Sequence, residues 1–294
     1  MNPEFRTKTW PRVAFVVLSF VLAWSIWVPA GLWAPKLFLP AVLLGAWTPT
    51  LAGVALTAIT DGVPGVRRYL AGLLKWRVGL QWWLVTLFSI AAISYAAIGI
   101  YVLMGGTVPP LNLPKGIPQS AWPLVAAIAF VVNIFVGGPL AEDVGWRGYF
   151  LPKLRETMPA FDASLLVGVV WVIWHAPMFF FPSGGQVVGF MPFPAFALMT
   201  IAWSVFMAWV YVNTQSILMA VLYHAAINTT LGTFGVLGRG ALGQSTDDLM
   251  PVYLHIATAW TAVLLILLVF GRDLTGRPRA AVGERSRAAP VGVR

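Results

Sequence analysis

The chain alternates long apolar stretches with short segments that gather most of its charge. A helix that crosses a bilayer needs roughly 20 mainly apolar residues. Eight stretches reach that length, at about 13–33, 38–60, 80–104, 122–141, 162–181, 193–213, 215–236 and 250–270. The pattern predicts an all-α membrane protein, a bundle of about eight transmembrane helices. The first stretch follows Arg6, Lys8 and Arg12, is too long for the apolar core of a signal peptide and carries no clear small-residue cleavage site, so it reads as a retained span. Between the second and third stretches, "GVRRYLAGLLKWRVG" mixes apolar residues with Arg67, Arg68, Lys75 and Arg77. It is expected to form an amphipathic helix at the membrane surface that anchors the topology. The segment 275–294 is rich in Arg, Ala, Pro and Gly without an apolar pattern and is expected to be a disordered basic tail. No internal repeat and no soluble domain is visible, which leaves 1–274 as one polytopic membrane domain.

The charges sort by side. If both termini and the even-numbered loops share a side, that side holds 16 of the 19 lysines and arginines, and Lys36, Lys115 and Arg239 are left for the other. The positive-inside rule then places both termini in the cytoplasm of a multi-pass protein of the cell membrane. The asymmetry also supports the count of eight, because a wrong count would scramble it. Composition agrees: 59% of the residues are hydrophobic, 10% are charged and the mean hydropathy is +0.81, whereas soluble domains average about 25% charged residues. The net charge of +9 is therefore a topology signal, and no nucleic-acid partner is expected. With no cysteine there is no disulfide, thiol nucleophile or thiolate metal site.

Against this background, polar residues in or beside the apolar stretches stand out, because a charged side chain in the membrane costs at least ~2.5 kcal/mol on insertion scales. The fourth stretch runs into "GGPLAEDVGWRGYF". Gly137, Gly138 and Pro139 are expected to weaken or kink the helix. If helix continues, Asp143 and Arg147 lie four apart and pair, while Glu142 points about 100° away and stays free. The fifth stretch carries His175 in "WVIWHAPMFFFP", with Trp171 one turn earlier and Pro177 expected to bend the helix. The seventh carries His224 and Asn228 on one helical face in "LYHAAINTT". His255 has no polar companion at helical spacing and is expected to be structural or interfacial.

Each feature alone has a bland reading: an ion pair at a helix end, a hydrogen-bonded histidine, polar glue between helices. Together, a carboxylate, two histidines and an amide are equipment for activating water and stabilising an oxyanion. They are also potential zinc ligands. The chain lacks H-E-x-x-H, G-x-S-x-G, G-x-G-D and a Walker-type phosphate loop.

The three motifs, in this order, resemble the CPBP family of intramembrane proteases, which includes the type II CAAX prenyl proteases and bacterial Abi-like proteins. The family pattern is E-E-x-x-x-R, F-x-x-x-H and H-x-x-x-N. Here it reads Glu142-Asp143-x-x-x-Arg147, Trp171-x-x-x-His175 and His224-x-x-x-Asn228, within a core of about 120–236. Asp143 replaces the second glutamate, with the same charge and a shorter reach. Trp171 replaces the phenylalanine, keeping an aromatic wall with more bulk. The resemblance implies an endopeptidase with a catalytic cavity between helices 4, 5 and 7. Glu142 would activate water with help from His175, His224 and Asn228 would stabilise the oxyanion, and Asp143 and Arg147 would support the site. It leaves open a metalloprotease, with Glu142, His175 and His224 as zinc ligands, or a metal-free glutamate mechanism with no cofactor. The expected partners are the bilayer and a membrane protein or peptide substrate, whether or not prenylated. Two other readings use the same polar groups: a membrane transporter, and a catalytically idle immunity-type protein. No feature of the sequence sets an oligomeric state.

Overall fold

A computed structural model describes residues 3–108, 116–182, 191–233 and 248–275. Among these residues all regular structure is helical, and the protein is an all-α membrane protein. The helices are α1 (Pro3–Trp33), α2 (Phe38–Gly45), α3 (Thr48–Leu70), α4 (Leu80–Leu103), α5 (Trp122–Val136), α6 (Pro139–Gly145), α7 (Leu151–Arg155), α8 (Ala160–Trp174), α9 (Phe193–Thr214), α10 (Ile217–Asn228) and α11 (Met250–Phe270).

Among the described residues six helical segments are long and apolar enough to cross a membrane, and two shorter apolar ones run Ala160–Trp174 and Ile217–Gly232. Each falls on one of the eight stretches read from sequence. The outer surface carries large apolar side chains such as Leu84, Phe88, Phe135 and Leu268, a perimeter suited to lipid and not to water.

The local departures have backbone causes. The fourth stretch stops at Val136, five residues before its expected end. Gly138 sits at φ 100°, a conformation open to glycine, and Pro139 then starts α6 at the position where its missing N–H costs nothing. The predicted kink is thus a full break. The fifth stretch ends at Trp174, and a short 3-10 segment Ala176–Phe179 follows. Pro177 terminates this helix where a bend was expected. Over 61–79 the surface helix is shorter than expected. α3 bends at Gly62 (φ 64°), carries Arg67 and Arg68 in its last turn and passes into a 3-10 turn, Ala71–Leu74. Lys115, Arg239 and the tail from 276 lie outside the described residues.

The charged helix is the best enclosed. α6 runs through a π-helical turn, Trp146–Phe150, into α7, and such turns are frequent at functional sites. Phe15 of α1 stacks on Tyr149 and Phe150 with ring centroids 5.3 and 5.0 Å apart and meets Trp146 edge-on. Thr50 donates a 2.6 Å hydrogen bond to the Ala141 carbonyl, and the Tyr69 hydroxyl donates to that of Val144. Gly145 lies directly against the backbone of Pro49: a Cβ there would stand 2.3 Å from the Pro49 carbonyl carbon. α8 and α9 pack closely where Gly168 faces Ile201, and Ser204 donates to the Ser164 carbonyl at 2.8 Å. His255 is fully buried, 3.2 Å from the Ser94 hydroxyl and accepting from the Trp203 indole at 3.4 Å. Its companions come from α4 and α9, which fits the structural reading.

Candidate active site

Glu142, Asp143 and Arg147 lie in the interior, with relative exposures of 6%, 0% and 0%. Buried charges persist only when paired and hydrogen-bonded, so their partners define the site. Arg147 Nη1 is 2.6 Å from Asp143 Oδ1, the four-residue pair expected from the spacing. The other Asp143 oxygen, Oδ2, is 2.6 Å from His224 Nδ1 on α10. Asp143 therefore bridges two helices. The Arg147 guanidinium lies over the Trp171 ring, 4.4 Å from its centroid, in cation–π contact. Its Nε and Nη2 have no hydrogen-bond partner.

Glu142 has a different environment. Its Oε2 accepts a 2.7 Å hydrogen bond from the Trp171 indole N–H. Its Oε1 folds over Gly138, where any Cβ would come within 2.4 Å of that oxygen. The glycine's missing side chain thus makes room for the carboxylate as well as allowing the turn. Glu142 also lies in the first helical turn after the break, where the helix dipole favours negative charge.

His175 follows the last residue of α8, and its Nδ1 lies 2.8 Å from the Trp171 carbonyl oxygen. A carbonyl only accepts, so Nδ1 carries the proton and Nε2 of the neutral ring presents a lone pair. Asn228 uses one amide N–H to bind the Gly137 carbonyl at 2.9 Å, tying α10 to the break after α5, and a second N–H remains.

Glu142, His175, His224 and Asn228 all line one cavity of about 420 Å³. Helices 4, 5 and 7 of the sequence reading supply its polar wall. The cavity is wider than expected, because Trp27, Val42, Phe196 and Trp203 from α1, α2 and α9 complete an apolar wall opposite.

The zinc reading was tested on the donors. Among the described residues no three His, Asp or Glu side chains group so as to hold a metal ion. The Asp143 and Trp171 contacts occupy one nitrogen of each histidine, as they do in metal-binding histidines too, so the fit turns on spacing. In this arrangement Glu142, His175 and His224 do not gather around one metal position.

Two contacts escaped sequence reasoning. The Asp143–His224 bond joins residues 81 apart in the chain, beyond any helical spacing. The Trp171–Glu142 bond left a faint signal, because a buried indole N–H usually finds an acceptor.

The fold and site define an all-α membrane protein with a carboxylate, two histidines and an amide lining one otherwise largely apolar cavity. Comparison with known proteins places the same segment more narrowly. Residues 123–230 match the family described as type II CAAX prenyl endopeptidase Rce1-like. A CAAX prenyl protease 2 from Methanococcus maripaludis is 32% identical over 92 residues, which is 30% of this chain and 34% of that protein. The chain thus matches about a third of the length of this curated relative. Both findings liken the motif-bearing core to type II CAAX prenyl endopeptidases.

Proposed function

We propose that the protein is an intramembrane endopeptidase of the CAAX-processing type, which hydrolyses a peptide bond of a membrane-associated protein or peptide. The observation that carries this reading is the unequal treatment of two adjacent acids. Asp143 is held by Arg147 and His224, whereas Glu142 meets only a neutral N–H and opens on the cavity. A buried carboxylate whose hydrogen-bond partner is neutral and which opens on a cavity is placed to act as a general base.

In the proposed reaction Glu142 removes a proton from water, and the His175 Nε2 lone pair orients the other water hydrogen. The water oxygen bonds to the scissile carbonyl carbon. The carbonyl π electrons move to oxygen, which a doubly protonated His224, donating Nδ1–H to Asp143 and Nε2–H to that oxygen, and the second N–H of Asn228 stabilise. Collapse of the intermediate breaks the C–N bond, and the proton held by Glu142 passes to the leaving amine. Water is consumed, and an acid and an amine are released. The protein sits in the cell membrane with both termini cytoplasmic, its partners being lipid and the substrate.

The test is the full chain purified in nanodiscs and offered prenylated and unprenylated CAAX peptides, with products read by mass spectrometry. Glu142→Gln should stay folded, since the amide is nearly isosteric, and lose activity by ~10²–10⁴-fold. Removal of His224 or Asn228 donors should cost up to ~10²–10³-fold in kcat each. Strong chelation should leave turnover intact. Full activity of Glu142→Gln would refute the mechanism. Solute uptake into proteoliposomes without cleavage would favour the transporter.

A further inference from the structure

Trp171 touches four of the charged or titratable groups of the site: Glu142, Arg147, His175 and His224. Its N–H reaches Glu142 at 2.7 Å, and its face covers Arg147 at 4.4 Å. Its ring stands edge-on to His175 and His224, with centroids 5.6 and 5.1 Å away, and its carbonyl accepts from His175. The proposed reaction draws on the Trp171 carbonyl for the His175 tautomer, but gives no part to the ring face. In the resembling family the position is phenylalanine, which has no N–H.

Among the described residues two buried nitrogens of Arg147 have no hydrogen-bond partner, and its charge interacts with both Asp143 and Glu142. Asp143 lies one turn before Arg147, and Glu142 five residues before it. Nothing in the spacing alone prevents the guanidinium from sharing itself between both acids. A shared guanidinium would quench the base. Trp171 stands where the choice is made: one edge occupies Glu142 Oε2, and one face holds the guanidinium flat on the Asp143 side.

We propose that Trp171 is a positioning residue that sorts the two acids. Its indole N–H fixes the Glu142 carboxylate with one oxygen free for water, and its ring keeps Arg147 on Asp143. The proposal rests on the protease reading for its kinetic consequence and on geometry alone for the bond.

The experiment has two readouts so that failure of either reading can be told apart. The full chain is prepared in nanodiscs with isotope-labelled indole nitrogens, as wild type, Trp171→Phe, and with Trp171 replaced by benzothienylalanine, the sulfur isostere that lacks only the N–H. The indole resonance missing from both variants belongs to Trp171. In Glu142→Ala it should shift upfield while the other indole resonances stay in place. With any CAAX peptide that the wild type cleaves, both Trp171 variants should show kcat reduced by ~10–100-fold, the value of one hydrogen bond to a charged group. KM should change by less than ~2-fold, since the interaction is not with substrate. A Trp171 resonance indifferent to Glu142→Ala would overturn the proposal, whether or not any peptide is cleaved. So would wild-type kcat in the benzothienylalanine protein. If no peptide is cleaved by the wild type, the protease reading fails and the resonance alone decides whether Trp171 holds Glu142.

Discussion

Asp143→Ala should destabilise the protein more than any other single change in the site. Both carboxylate oxygens are used, at 2.6 Å to Arg147 and 2.6 Å to His224, and neither Asp143 nor Arg147 has any exposure. Removing one partner of a buried ion pair costs ~3–5 kcal/mol, because the remaining charge is left uncompensated. The orphaned His224 N–H adds ~1–3 kcal/mol. The sum is a large share of the ~5–15 kcal/mol that holds a typical domain together. Arg147 gains no relief from water, and its Nε and Nη2 are already unpartnered. Replacing both partners, as in Asp143→Ala with Arg147→Met, removes the stranded charge and should recover more than half of the loss. Unfolding in nanodiscs, followed by tryptophan fluorescence against denaturant, compares wild type, the single variant and the double. The reasoning fails if Asp143→Ala unfolds with the wild type, or if the double variant is no more stable than the single.

Four further outcomes can be measured. Asp143→Glu adds a methylene in a fully buried site and should cost ~1–3 kcal/mol by overpacking. Trp171→Phe frees volume on the other side of the same guanidinium, so the double variant should be more stable than additivity allows, with a coupling of ~0.5–3 kcal/mol in a denaturation cycle; strict additivity would refute the link. Gly145→Ala drives a Cβ to 2.3 Å from the Pro49 carbonyl carbon and should cost at least ~1–3 kcal/mol, so an unchanged denaturation midpoint would show that the two helices can part freely. Cysteine placed at Lys115 should react with a membrane-impermeant reagent from outside intact cells, and reaction from the cytoplasmic side alone would reverse the topology.

What the sequence made legible was whatever depends on local pattern. Apolar length located the eight hydrophobic helical segments, four-residue spacing found the Asp143–Arg147 pair, and the Gly137–Gly138–Pro139 run announced a discontinuity. The bridge from Asp143 to His224 was hidden because it depends on how α6 and α10 pack, which no periodicity encodes. The donor role of Trp171 was masked by its reading as a bulkier phenylalanine. Pro177 was misjudged for a simple reason: a proline can bend a helix or end it, and the residues after it decide which. Here a 3-10 turn follows and α8 is over.

The two backbone breaks have a consequence for hydration. A helix end exposes carbonyls or N–H groups that no turn satisfies, and within a bilayer such groups persist only when buried in protein or lining a wet cavity. α5 ends at Val136 and α8 ends at Trp174, and both ends border the same cavity. α8 has 15 residues, about 22 Å at 1.5 Å per residue, short of the ~30 Å thickness of a hydrocarbon core. The interrupted helices therefore thin the apolar barrier beside Glu142 and His175. On the protease reading, the same irregularities that aim the polar side chains would also admit the water that lipid excludes, so that a site built inside a membrane would bring its own solvent with it.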